Sequence, residues 1–140
     1  MNIQTEKTTD SPTVSPQPTP YAMLGGDAGV QRLVDRFYDL METAPYAKTI
    51  RAMHGADLGP MRERLFYFLS GWLGGPNLFF DKRPGVCIRS AHAPFTIGEE
   101  ERDAWLRCMR EALEETGASE EVRQLLEGPF FRIADLFRTQ

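Results

Sequence analysis

Two histidines occur among the 140 residues of this chain, and the placement of one of them, His92, suits it for chemistry. It lies in Arg89-Ser90-Ala91-His92-Ala93-Pro94-Phe95. That run closes a stretch, beginning near Gly75, with neither helical nor strand periodicity. A compact domain rarely keeps about twenty aperiodic residues unless they are functional or tied down. One neutral imidazole there suits a single bond to a cofactor metal. A loop histidine without a functional partner is the plainer alternative. Two polar aromatics, Tyr38 and Trp105, fall on apolar helix faces, where a phenol hydroxyl and an indole N–H each need an acceptor. A backbone carbonyl would serve, and so would the partly negative oxygen of a bound ligand.

Other chemistries fit less well. Ser70 and Ser90 lack a motif that would activate them, and Cys87 has neither a helix start nor a clear base beside it. Structural zinc needs about four ligands. Cys87, His92 and Cys108 supply three at irregular spacing, and His54 is remote in sequence. Gly25-Gly26 and Gly74-Gly75 lack the Lys-Ser/Thr and the strand that a phosphate loop requires. A flat cofactor held by one axial histidine needs only that ligand and an apolar slot that excludes water. Leu65, Phe66, Phe68, Leu69, Phe95, Met109, Phe37 and Phe130 could line such a slot.

The elements that would position these residues read as helices. Val30, Leu33, Val34, Phe37, Tyr38 and Met41 recur at helical spacing after Gly25-Gly26-Asp27, with Asp27 as a cap and Pro45 at the end. A loop through His54 and Gly55 leads to a cap region at Asp57, and Pro60 suits the first turn of a second helix. Met61, Leu65, Phe68, Leu69 and Trp72 share its face, and Gly74-Gly75-Pro76 stops it. Thr96 and Glu99 fit a capping box for a third helix carrying Trp105, Leu106, Met109, Ala112 and Leu113. Gly117 ends that helix, and Ser119 caps a fourth, in which Pro129 predicts a kink or break. Four substantial helices, one long loop and almost no strand define an all-α fold.

Composition bounds the rest. At this length the chain is one domain. A net charge of −4 gives no electrostatic footprint for nucleic acid or anionic lipid. Two cysteines are too few for a disulfide framework and read as reduced thiols. Residues 1–20 hold four prolines among Thr, Ser and Gln, and read as a disordered tail without signal-peptide or anchor character. The folded domain is expected over residues 21–140. No apolar run approaches membrane-spanning length, so a soluble cytoplasmic protein is expected.

Several segments together resemble the truncated haemoglobins, specifically their group II. They are Leu24-Gly25-Gly26, Arg36-Phe37-Tyr38, Phe68-Leu69-Ser70-Gly71-Trp72-Leu73-Gly74-Gly75-Pro76, Arg89 with His92-Ala93-Pro94-Phe95, and Glu101-Arg102-Asp103-Ala104-Trp105-Leu106-Arg107-Cys108-Met109. The double glycines and a tryptophan thirteen residues after the histidine make the likeness specific. The resemblance covers Tyr21 to Arg138 and implies a two-over-two helical globin sandwich around haem b.

Within that likeness His92 matches the proximal iron ligand, and Tyr38 and Trp105 match distal hydrogen-bonding residues. His54 matches an interhelical position beside the ligand. Met61 and Leu65 match distal positions on the second helix, Met61 near the usual ligand gate. Arg64 matches a contact to a haem propionate. Ala91 departs from the family, standing where relatives often carry arginine. Propionate pairing then falls to Arg64, Arg89, Lys82 or Arg83. The implied function is reversible binding of dioxygen and other diatomic gases with slow release, suited to storage, sensing or redox work. The alternative is a haem enzyme with peroxidase-like or nitric oxide dioxygenase activity. Dioxygenation would need a reductase partner, because the chain carries no flavin or nicotinamide motif. Neither a nucleic-acid nor a membrane partner is implied, and monomer and homodimer stay open.

Overall fold

The computed structural model describes residues 18–76 and 96–139, and among them every regular element is helical. The order is α1 (Pro20–Met23), α2 (Gly26–Thr43), a 3₁₀ turn (Pro45–Ala47), α3 (Lys48–Ala52), α4 (Gly59–Trp72), α5 (Glu99–Glu115) and α6 (Glu120–Leu136). No helix among the described residues is long and apolar enough to cross a membrane.

The long helices form two antiparallel pairs. The start of α2 lies by the end of α4, where the Tyr21 N–H donates to the Leu73 carbonyl. The end of α2 lies by the start of α4, where Arg62 meets Asp39. In the second pair Arg123 meets Glu114 at one end, and Arg102 meets Asp135 at the other. The pairs layer through α2 against α5. Val30, Leu33, Val34, Phe37 and Met41 of α2 are almost wholly buried, as the helical spacing predicts. So are Leu69 and Leu73 at the end of α4, Cys108, Met109 and Ala112 of α5, and Val122 of α6. Cys108 is a free thiol; Cys87 lies outside the described residues.

Ends and corners differ in part from the sequence expectation. Thr19 and Pro20, read as tail, belong to the fold: the Thr19 hydroxyl accepts from the Ala22 N–H and caps α1. Asp27 does not cap α2. It lies in the first turn and accepts from the Tyr21 hydroxyl, while Gly25, at φ 104°, makes the corner. That corner is tight enough that a Cβ on Gly29 would fall 1.7 Å from the Leu24 carbonyl oxygen, so only glycine lets α1 and α2 meet. At α4, Asp57 Oδ1 accepts from the Gly59 N–H at 2.9 Å, and Pro60 occupies the first turn as expected.

The segment read as loop after Pro45 contains the 3₁₀ turn and α3, which bury Ala47 and Ile50. The turn is tied to α5 by the Tyr46 hydroxyl, which donates to Glu111 Oε1 at 2.8 Å. Arg107 lies 4.0 Å from the Tyr46 ring centroid.

The start of α5 falls later than expected. Gly98 takes the cap position, and its N–H donates to Glu101 Oε1 at 2.8 Å. The Thr96–Glu99 box is not formed. Immediately before α5, the Ile97 N–H donates to Thr139 Oγ1 and the Thr139 N–H donates to the Ile97 carbonyl, both at 2.8 Å. Ser119 caps α6 as expected, accepting from the Val122 N–H. Pro129 does not break α6. It removes the donor to the carbonyl four residues earlier, and that residue, Leu125, is 52% exposed, on the solvent side.

Candidate functional site

The site grows from two successive residues of α2. Phe37 is fully buried and Tyr38 is 6% exposed, although neighbours on a helix point about 100° apart. Their rings meet edge to face at 5.0 Å. Phe37 contacts Trp105 of α5 at 5.4 Å, and Trp105 contacts Phe130 of α6 at 5.9 Å. Phe130 leads to Trp72 at 4.9 Å, and Trp72 stacks on Phe68 at 6.3 Å, both on α4. In the other direction the His54 ring stands at 6.2 Å and 80° to Tyr38. Seven rings thus run continuously through all four long helices and the α3–α4 connection. The edge-to-face pairs match the quadrupoles of the rings.

Within this apolar run two donors stand out. Among the described residues, neither the Tyr38 hydroxyl nor the Trp105 indole N–H has a hydrogen-bond partner. Burial pushes the Tyr38 phenol well above its ordinary ionisation range, an effect that the charges of Arg62 and Arg64 partly offset. Tyr38 therefore stays an O–H donor throughout the neutral range.

His54 Nδ1 lies 2.7 Å from the Ile50 carbonyl oxygen. A carbonyl only accepts, so Nδ1 carries the proton. In the neutral ring Nε2 is then an acceptor, and only the doubly protonated ring donates there.

The remaining sequence-predicted positions divide three ways. Met61, Leu65 and Phe68 on α4 are half-buried and packed against the core, while Arg64 is exposed. Leu69 and Met109 are each 1% exposed and lie inside the core cluster. His92, Arg89 and Phe95 lie outside the described residues. The structure adds one residue that sequence reasoning missed. Arg62 reaches from α4 to Asp35 and Asp39 on α2. Its only sequence signal is the i, i+4 spacing of those carboxylates, which means nothing until α2 and α4 are known to be neighbours.

A family model described as bacterial-like globin matches residues 19–137. A group 2 truncated hemoglobin, YjbI, of Bacillus subtilis (strain 168) is 35% identical over 109 residues, covering 78% of this chain and 80% of that protein. The group II 2-on-2 hemoglobin of the plant pathogen Agrobacterium tumefaciens superimposes with a TM-score of 0.84 at 39% identity, over 90% of this chain and 98% of the other. A truncated oxygen-avid haemoglobin from Bacillus subtilis gives 0.79 at 30% identity, over 87% and 100%. The chain belongs to the bacterial-like globins, as a truncated haemoglobin of group II with the two-over-two helical fold. It is a haem-binding globin. The residues present fit that group: an apolar aromatic face suits the macrocycle, and two donors without protein acceptors suit a small polar ligand beside it.

Proposed function

We propose that the protein holds haem b through His92 and binds dioxygen reversibly, releasing it slowly. The reading of His92 rests on the family resemblance of the segment around it. Arg64 and Arg89 are the residues proposed to pair with the propionates. The observation that carries the function is the pair of unpartnered donors, Tyr38 and Trp105. The similarity to a protein described as oxygen-avid supports it.

The haem iron supplies the bond to the gas; the chain supplies everything around that bond. Tyr38 and Trp105 donate hydrogen bonds to the partly negative gas ligand. Such bonds are stronger in a dry pocket than in water. Leu65 and Phe68 exclude water, and Met61 borders the entry path. His54, with Nδ1 committed to Ile50, offers no second donor to the ligand while neutral and stands edge to face against the Tyr38 ring. Slow release suits storage, sensing or redox chemistry.

Absorption spectra test the reading at its root. Purified protein should show a Soret band, and its ferrous form should shift on exposure to oxygen and return under vacuum. His92→Ala should lose most haem, and added imidazole should partly restore the spectrum. Full haem retention with an unchanged ferrous spectrum in His92→Ala would overturn the ligand assignment.

A further inference from the structure

The gas-binding reading leaves Arg62 unused, yet this side chain is held at three points. Nη1 donates to the Asp35 carbonyl oxygen at 2.9 Å and to Asp35 Oδ1 at 3.2 Å, and Nη2 donates to Asp39 Oδ1 at 2.9 Å. Asp35, Tyr38 and Asp39 follow the i, i+3, i+4 spacing that puts residues on one helix face. Binding both carboxylates therefore brings the guanidinium to Tyr38, with its central carbon 5.8 Å from the ring centroid.

A plain surface ion pair would be weak and mobile. This one is different in kind. A planar fork bonded to a main-chain carbonyl and to two carboxylates has one orientation, which a lysine point charge cannot reproduce. A cation beside an aromatic ring attracts its electrons. In a phenol that draws charge from the oxygen and strengthens the O–H as a donor. The electrostatics agree in sign, since the Arg62 charge opposes the effect of burial on the Tyr38 phenol.

We propose that Arg62 is a positioning residue for Tyr38: clamped by Asp35 and Asp39, it fixes the ring and polarises its hydroxyl, and so helps set how long a diatomic ligand is kept. The proposal rests on the gas-binding reading and extends it to a residue that acts only through another.

A double-mutant cycle on the haem-loaded full chain tests it. Oxygen release by stopped flow and the carbon monoxide stretching frequency by infrared are measured in wild type, Arg62→Met, Tyr38→Phe and the double variant. Arg62→Met should speed oxygen release about twofold to fivefold and raise the stretching frequency, the sign of a less positive surrounding. In the Tyr38→Phe background the same change should alter neither quantity. An equal effect in both backgrounds would overturn the proposal, as would no effect of Arg62→Met where Tyr38→Phe alone speeds release. If Tyr38→Phe itself leaves release unchanged, the donor role fails and this proposal falls with it. Should Arg62→Met fail to fold, Arg62→Lys replaces it. That variant keeps the charge and loses the fork, so release faster than wild type is expected and a wild-type rate overturns the proposal.

Discussion

Tyr38 and Tyr46 lie eight residues apart, and the protein treats their hydroxyls in opposite ways. Tyr46, on the 3₁₀ turn, donates to Glu111, with Arg107 over its ring and paired to the same carboxylate. Its acceptor is supplied by the fold. Tyr38 is buried more deeply, yet has none among the described residues. One tyrosine joins elements together, and the other is the one proposed to donate to a gas ligand. The difference shows that residue type and burial do not decide whether a polar aromatic ties the fold together. The acceptor does.

Removing haem should produce the largest divergence between the two regions. A ligand that binds only the native state adds directly to stability, so the haem-free protein should melt well below the loaded one. Hydrogen exchange should then rise first along α4 around Leu65 and Phe68, and last in α5 around Cys108 and Ala112. Equal melting temperatures would argue against an intimate haem site, and uniform exchange would erase the distinction between the regions.

Substitution at the two tyrosines should sharpen the contrast at smaller scale. A hydrogen bond to a partly charged oxygen contributes about 1–3 kcal/mol, and about 1.4 kcal/mol is a factor of ten in rate. Tyr38→Phe and Trp105→Phe should each speed oxygen release by about tenfold to a hundredfold. Tyr38→Phe should leave the stability of the haem-free chain nearly unchanged, because the hydroxyl it removes has no protein acceptor. Unchanged release in both variants, with haem retained, would reduce these residues to packing aromatics.

Tyr46→Phe should do the reverse, costing about 1 kcal/mol of stability with oxygen release unaltered. Chemical denaturation and stopped flow read the two effects separately. The smallest effect is a pH dependence of that loss. The Tyr46 hydroxyl, helped by Arg107, holds the Glu111 carboxyl below the usual carboxylate range. A depressed folded-state value stabilises above the unfolded value of about 4.3 and is lost as pH falls through the folded one. The deficit of Tyr46→Phe should thus be full at neutral pH and shrink at acid pH. A deficit that grows on acidification would contradict the assigned partner.

Much of this was legible in the sequence, for local reasons. The apolar spacing of α2 names the residues that are buried, and Ser119 announces its own cap. Pairing Tyr38 with Trp105 came from resemblance to a family, since nothing in the spacing brings α2 to α5. What the sequence hid depends on contacts between distant segments. The 3₁₀ turn and α3 are too short for periodicity and exist because Ala47 and Ile50 find places in the core. Thr19 and Pro20, which open α1, read as tail because the support of that helix, a bond from Tyr21 to Leu73, comes from the far end of α4. The cap of α5 was misplaced because Thr96 offered a side-chain oxygen and Gly98 offered none, while Glu101 answers the Gly98 N–H directly. Arg62 was invisible for the same reason as α1, its partners being on another helix.

The reciprocal bonds between Ile97 and Thr139 bear on the order of assembly. They join residues 42 apart, and the α5–α6 hairpin lies between them. The tie between Arg36 and Glu115, which joins the two helical layers, spans 79. Closing a shorter loop loses less chain entropy, and fold-forming contacts that are close in sequence tend to form sooner. The α5–α6 hairpin can therefore zip up early as a self-closed unit. It would carry Trp105 into place before α2 arrives with Tyr38, so the two donors would meet only in the late stage of folding.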